Sequence, residues 1–201
     1  MVTEREPTDF EQVLLGLIGR RPQASYDLRR FFADTPAVAY QPSAGTLVPA
    51  LHRLQARGLL DAEPDASSGR RARRVYHLSA AGRAAHQRWL HQPVQAATIG
   101  RDLGLHLMRF AMMEHQLPRR DILDFLADLA DALQTFMTNI AAYLDTAELP
   151  GEHPRLALQH GIAVHRASLA WARAAAVALD DSRPPPRSAQ RKHLPPKRPP
   201  R

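Results

Sequence analysis

The sequence predicts a mainly α-helical protein, in which short helices and a β-hairpin precede two long helices. Apolar residues recur at helical spacing from residue 10 onward, and a strand–turn–strand pattern interrupts them at 59–78. After residue 118, two long segments carry apolar residues in alternating steps of four and three. The 201 residues are 44% hydrophobic, which is enough to bury a sizeable core.

The charge is distributed unevenly along the chain. Residues 1–92 carry 13 basic and 9 acidic side chains, residues 93–182 carry 7 and 11, and residues 183–201 carry 7 and none. The mildly basic first part therefore suits a polyanionic partner, whereas the acidic second part suits another task. The last 19 residues also contain seven prolines, so we expect 183–201 to be a disordered basic tail.

Several classes of protein are disfavoured by what the sequence lacks. It contains no cysteine, no apolar run of membrane-spanning length and no secretory leader, so we expect a cytoplasmic protein. The histidines show no metal-ligand spacing, and no phosphate loop, nucleophile motif or catalytic carboxylate pair is present. We therefore expect no metal, no cofactor and no enzymatic activity.

Three helices are predicted in the first 57 residues. The first has an apolar stripe from Phe10 to Ile18, with Thr8 or Asp9 as its cap, and the second has Ser25 as its cap. The third runs from about residue 43 to 57. Pro49 lies inside the third helix, so either this helix starts late or its first turn is irregular.

A β-hairpin and a fourth helix follow. Residues 59–63 and 74–78 are predicted strands, and Ser79 caps a helix over about 80–92. Three helices followed by a hairpin with an arginine-rich tip indicate a winged helix–turn–helix. In such a domain the third helix reads base edges through Thr46 and Arg53, while the tip contacts phosphates through four arginines. These are Arg70, Arg71, Arg73 and Arg74.

The remaining helices are longer. The fifth, at about 96–116, is apolar on two faces, and we expect it to be buried. The sixth runs from Pro118 to about residue 147 and the seventh from Pro154, and their apolar seams predict an antiparallel pair. His165 lies on the second seam and is predicted to be a hydrogen-bonded core histidine.

Residues 10–92 resemble the DNA-binding domain of the PadR family of transcriptional regulators. The resemblance rests on residues 13–18, 21–28, 43–54, 58–60 and 73–82, in this order and spacing, including Pro49. Residues 97–180 are similar in pattern to the helical dimerisation region of one branch of that family. The resemblance implies a winged helix–turn–helix DNA-binding domain at 8–92, a helical dimerisation domain at 97–181 and a dimeric repressor of transcription.

The resemblance also implies further site residues and partners. Tyr26 and Ser43 join the DNA-binding residues, and double-stranded DNA and a second copy of the chain are the expected partners. A small aromatic effector would bind between subunits near Trp89, Phe110 and Met112, although such side chains more often serve core or dimer packing. The alternative function is an effector-binding or protein-binding adaptor whose winged helix no longer reads DNA.

Overall fold

The computed structural model describes residues 6–35, 44–64, 74–146 and 151–181, and these are mainly helical. The helices are α1 (Asp9–Arg20), α2 (Ser25–Asp34), α3 (Ala44–Ala56), α4 (Ala80–Leu90), α5 (Ile99–Met113), α6 (Arg119–Thr146) and α7 (Glu152–Asp180). The strands are β1 (Gln23–Ala24), β2 (Leu60–Pro64) and β3 (Arg74–Leu78). Over these ranges, none of the helices combines the length and apolar character that a membrane crossing needs.

The start of α1 is fixed by a reciprocal cap. The Glu11 N–H donates to the Thr8 hydroxyl at 3.3 Å, and the Thr8 N–H donates to the Glu11 carboxylate at 3.0 Å. Two backbone donors that a helix start leaves unpaired are thereby satisfied. Of the two predicted caps, Thr8 is therefore the one used.

The entry into α2 differs from the prediction. Ala24, not Ser25, is the capping residue, and the Asp27 carboxylate accepts the Ala24 N–H at 3.1 Å. The preceding Gln23 and Ala24 form β1, which pairs with β3 in the antiparallel order β1-β3-β2. The backbone at Ala24 is thus committed to a sheet, which leaves Ser25 as the first helical residue.

The hairpin and α3 match the predicted elements closely. Strands β2 and β3 pair in antiparallel register from Leu60 opposite Leu78 to Pro64 opposite Arg74. Helix α3 begins at Ala44, so it does not start late, and Pro49 lies within it. The predicted hairpin tip lies outside the described residues.

One continuous core joins the N-terminal helices to the C-terminal ones. Buried residues of α1, α3 and α4 form a single cluster with buried residues of α5, α6 and α7. Helix α5 lies against α1, and the Met112 Sδ occupies the space beside Gly16 that a side chain there would need. Helices α1–α4 and the sheet of β1–β3 are called the winged unit here. Its position is therefore set by direct packing against the helices that follow it.

The prediction that both apolar faces of α5 are buried is wrong. The buried face of α5 includes His106 and Arg109 as well as methionines, whereas Leu107 is 38% exposed and Phe110 is only half-buried. The polar side chains contact α4 and α6: Arg109 lies beside Trp89 and Phe125, and His106 lies beside Phe125. The apolar outer face of α5 is left uncovered in a single chain.

Helices α6 and α7 pack along the predicted seams. Leu126, Leu129 and Leu133 of α6 are buried, and so are Leu169 and Ala172 of α7. The His165 Nδ1 lies 2.6 Å from the Gly161 carbonyl oxygen, so the prediction of a hydrogen-bonded core histidine is confirmed. Towards the end of α6 the predicted seam turns outward, because Tyr143 is 54% exposed while Leu144 is buried.

Gly82 provides a first test of this packing. The Leu59 carbonyl oxygen lies only 2.0 Å from where a Cβ on Gly82 would stand, so α4 can meet the turn after α3 only without a side chain. We expect Gly82→Ala to lower the free energy of unfolding by about 2–3 kcal/mol, since a backbone atom must move. Urea denaturation followed by circular dichroism measures this.

Gly161 is the matched control for that substitution. It also lies inside a helix, but nothing approaches within 4 Å of its Cβ position. Gly161→Ala should therefore raise the stability by up to about 1 kcal/mol. Equal effects of the two alanines would contradict the close contact of α4 with Leu59.

Candidate nucleic-acid interface

Helix α3 presents one apolar and one polar face. Leu47, Leu51 and Leu54 are buried in the core, while Thr46 and Arg53 are exposed on the opposite side. Pro49 and His52 are also exposed there, and the helix contains no carboxylate. A polyanion can therefore approach the outer face of α3 without meeting a negative charge on this helix.

A buried carboxylate holds Arg53 of α3 and Arg57, the residue that follows this helix, in place. The Arg53 Nε donates to the Glu11 Oε1 at 2.8 Å, and the Arg57 Nη1 lies 3.7 Å from the Glu11 Oε2. The Glu11 side chain is 4% exposed, whereas that of Arg53 is 55% exposed. Glu11 thus ties α1 to α3 from beneath and leaves part of the Arg53 guanidinium at the surface.

The role of Glu11 was not predicted from the sequence. The spacing from Thr8 to Glu11 is that of a capping box, so the local hydrogen bonds carry a sequence signal. The contact with Arg53 spans 42 residues of chain and has no local signal. Arg53 consequently has a structural role besides its predicted role in DNA contact.

The base of the hairpin lies beside the start of α2. Ala24 pairs with Val75, so the chain enters α2 next to Arg74, which is exposed. Tyr26 is in the first turn of α2 and is 54% exposed. On β3 itself, burial raises the pKa of the Tyr76 hydroxyl, which therefore stays neutral inside the sheet.

The predicted DNA-binding residues divide into two groups. Tyr26, Thr46, Arg53 and Arg74 are described, and all four are exposed on the winged unit. Ser43, Arg70, Arg71 and Arg73 lie outside the described residues, and so does the basic tail at 183–201. The assignment of all eight residues to DNA contact stays a prediction.

The three residues predicted for an effector pocket do not all come together within one chain. Trp89 is buried, with its Nε1 donating to the Asp9 Oδ1 at 3.2 Å and its ring stacked on His86. Met112 is buried near the same histidine, beside Gly16. Phe110 instead contacts Trp171 edge-on, with ring centroids 5.2 Å apart. Trp89 and Met112 are thus core residues in a single chain, and the pocket stays a prediction.

Comparisons with known proteins agree with the winged unit. Residues 14–88 match the family described as the transcriptional regulator PadR-like family. The transcriptional regulator Rv3488 of Mycobacterium tuberculosis is 59% identical over 46 residues, which are 23% of this chain and 42% of that protein. The matched part is therefore less than half of the relative's length.

Solved structures show a looser similarity over more of the chain. Bacillus subtilis PadR in complex with operator DNA aligns with 86% of this chain and 100% of its own, at 15% identity and a TM-score of 0.42. Bacillus subtilis PadR in complex with p-coumaric acid aligns with 89% of this chain and 99% of its own, at 15% identity and a TM-score of 0.39.

The family match agrees with the fold. The described residues contain three helices, a small antiparallel sheet and long C-terminal helices in the predicted order. The prediction of a mainly α-helical winged protein is confirmed, and the match at residues 14–88 is to a family of transcriptional regulators. Residues 14–88, which contain most of the helices and strands before α5, therefore match the PadR-like transcriptional regulator family.

Proposed function

We propose that the chain is a dimeric, sequence-specific DNA-binding repressor of transcription, released from its operator by a small effector. The observation that carries this proposal is the outer face of α3, which exposes Thr46 and an anchored Arg53 and has no carboxylate. A helix of this kind fits the major groove, where its side chains reach base edges. Because chromosomal DNA is the proposed target, the proposed place of action is the cytoplasm.

The other predicted DNA contacts come from segments before and after α3 in the sequence. Tyr26 lies on the helix that precedes α3, and Ser43 lies just before α3 in the sequence. In the proposed complex these two side chains contact the phosphates beside the groove. The arginines at 70, 71, 73 and 74 are proposed to contact the neighbouring DNA backbone, where arginine neutralises phosphates and releases counterions.

The exposed apolar side chains support a dimer through the C-terminal helices. Among the described residues, seven large apolar side chains are exposed, and all except Tyr26 lie on α5, α6 or α7. Exposed apolar groups gathered on one part of a molecule indicate an interaction surface. A dimer formed there would place the two α3 helices on successive major grooves about 34 Å apart.

The effector contributes the regulatory part of the proposal. It would have to bind the DNA-bound and free arrangements with different affinity, because equal affinity shifts no equilibrium. The continuous core from α1 through α5 to α6 supports such coupling, since movement of the C-terminal helices must displace the winged unit. A small aromatic compound remains the effector class that we propose from the resemblance.

The direct test is whether α3 reads sequence. DNA that binds the full chain is first selected from a random pool, and then operator and random DNA are titrated with variants. Thr46→Ala should weaken operator binding by about tenfold and leave random DNA nearly unchanged, because a base-edge contact contributes about 1–3 kcal/mol of discrimination. Thr138→Ala on the exposed face of α6 is the matched control and should change neither affinity.

Arg53→Ala should also weaken operator binding more than random-DNA binding, and in addition it should lower the stability of the fold. Removal of Arg53 leaves the buried Glu11 with the more distant Arg57 as its partner, so unfolding should become easier by about 1–3 kcal/mol. Glu11→Gln removes the ion pair but keeps Arg53, so it should lower stability with less effect on sequence preference. If no DNA is enriched from the pool, the adaptor function replaces the one proposed here.

A further inference from the structure

A cavity of about 220 Å³ lies where α4, α5 and α6 meet. Arg109 and Phe125 line it, together with three aspartates of α6 and the residues that end α4. It is smaller than the roughly 300–1,000 Å³ of sites that take drug-sized ligands. Its size therefore suits a compound smaller than a typical drug-sized ligand.

A buried cation without a close counter-ion lies in the wall of this cavity. Arg109 is 3% exposed; its Nη2 donates to the Gln92 carbonyl oxygen, and its Cζ lies 4.7 Å from the centroid of the Phe125 ring. Both of these partners also line the cavity. The Arg109 Nε has no hydrogen-bond partner, and no carboxylate of the described residues forms an ion pair with Arg109.

Such an arrangement is costly unless an acceptor completes it. Burial lowers the pKa of Arg109 to about 10, so the guanidinium is still charged at neutral pH. A buried charge with an unpartnered N–H is destabilised relative to one that meets an anion. A carboxylate from outside the chain would supply the missing acceptor with a charge-assisted hydrogen bond.

The opposite wall carries negative charge. Asp121, Asp124 and Asp128 line the cavity from successive turns of α6. Asp121 is held 3.0 Å from the His91 Nε2, and Asp124 lies 3.9 Å from the Arg120 Nε, whereas Asp128 attracts Arg109 only from a distance. A simple anion would be repelled by these aspartates, and a simple cation would be repelled by Arg109.

We propose that this cavity binds a small zwitterion of amino-acid size. Its carboxylate would meet Arg109, its ammonium group would lie beside Asp124 and Asp128, and its apolar part would contact Phe125 and Leu90. The described residues contain no group of ligands suited to a metal ion, and both charges of the cavity are used by one compound of this kind. Binding itself is independent of DNA, and its use as an effector site rests on the function proposed above.

Matched probes test the two charges separately. The full chain is titrated by calorimetry with two amino acids, L-phenylalanine and L-leucine. Phenylethylamine and isoamylamine are their analogues without the carboxylate. Phenylpropionate and isocaproate are their analogues without the amine. We expect at least one amino acid to bind saturably, one per chain, and its two analogues to bind about tenfold or more weakly. Absence of saturable binding by both amino acids up to millimolar concentrations would overturn the proposal.

Variants locate the site. Asp128→Asn should weaken amino-acid binding by about tenfold and strengthen phenylpropionate binding, because it removes repulsion at an exposed position that does not endanger folding. Arg109→Gln should also weaken amino-acid binding, but it should strengthen phenylethylamine binding because it removes the repulsion of a cation by Arg109. Asp131→Asn, on the same helix but outside the cavity lining, is the control and should change nothing.

The outcomes separate this site from the proposed function. If Asp128→Asn leaves the relative affinities for L-phenylalanine, phenylethylamine and phenylpropionate unchanged, the cavity does not bind the zwitterion and the proposal fails. DNA binding is measured in the absence of any probe. If the chain does not bind DNA, the repressor function is rejected, but the result on amino-acid binding is unaffected. Saturable binding that leaves DNA affinity unchanged would establish the site and remove only its regulatory use.

Discussion

Leu107→Asp combined with Val164→Asp is expected to separate the proposed dimer into monomers and to weaken operator binding by about 10²–10⁴-fold. Leu107 is 38% exposed and Val164 is 40% exposed, so neither side chain is needed to fill the core of one chain. Val164 lies two helical turns before Trp171, which contacts Phe110, and Phe110 lies one turn after Leu107. These four residues form an apolar strip across α5 and α7.

The loss follows from how two linked heads bind DNA. Once one winged unit is bound, the dimer holds the second one at a high effective concentration beside its half-site. Two aspartates in the strip would place charge in the interface between copies, where it has no partner. Each monomer would then retain only its own contacts with one half-site.

Sedimentation and operator titration decide this prediction together. Ala127→Asp is the matched control, because Ala127 is exposed on α6, a helix that carries none of the four residues of the strip. The control should remain dimeric and keep its affinity. If the double variant stays dimeric, the subunits associate through a different surface, and if the unaltered chain is monomeric, the dimer itself is rejected.

Local sequence signals predicted the helices well. Thr8 and Ser79 were identifiable as caps because their side chains bond to backbone groups only three residues away. The apolar seams of α6 and α7 were readable because each position repeats the same contact with the neighbouring helix. Both kinds of information are contained in a few consecutive residues.

Features that depend on distant residues were missed. Strand β1 is two residues long and exists through its pairing with β3, some fifty residues later. The buried face of α5 includes Arg109, and no periodicity predicts that a cation lies there rather than in water. The ion pair of Glu11 with Arg53 likewise joins two helices that the sequence treats separately.

The candidate nucleic-acid interface was predictable only where local sequence patterns determine it. Thr46 and Arg53 could be assigned to the outer face of α3 because the buried leucines define the inner face. The structure adds what holds Arg53 there, and it separates Phe110 from Trp89. The family resemblance grouped these two aromatics in one pocket, but within one chain Trp89 stacks on His86 and Phe110 contacts Trp171.

Leu133→Asp is expected to produce the largest loss of stability among single substitutions on α6. Leu133 is fully buried on this helix, so the variant both loses apolar contacts and places a carboxylate among hydrophobic side chains. We expect the free energy of unfolding to fall by at least about 4 kcal/mol, which is much of the 5–15 kcal/mol that holds a typical domain together. Operator binding should fall with it, because the proposed dimer surface is carried by the same group of helices.

Asp131→Ala and Leu133→Met are controls that test whether the loss of stability comes from the buried charge and not from any substitution on α6. Asp131 is exposed two residues away, so its replacement should change stability by about 0.5 kcal/mol or less. Leu133→Met keeps the volume and the apolar character, and should cost less than about 1.5 kcal/mol. Urea denaturation of the three variants measures the order, and a Leu133→Asp chain as stable as Asp131→Ala would mean that this face of α6 does not form the core.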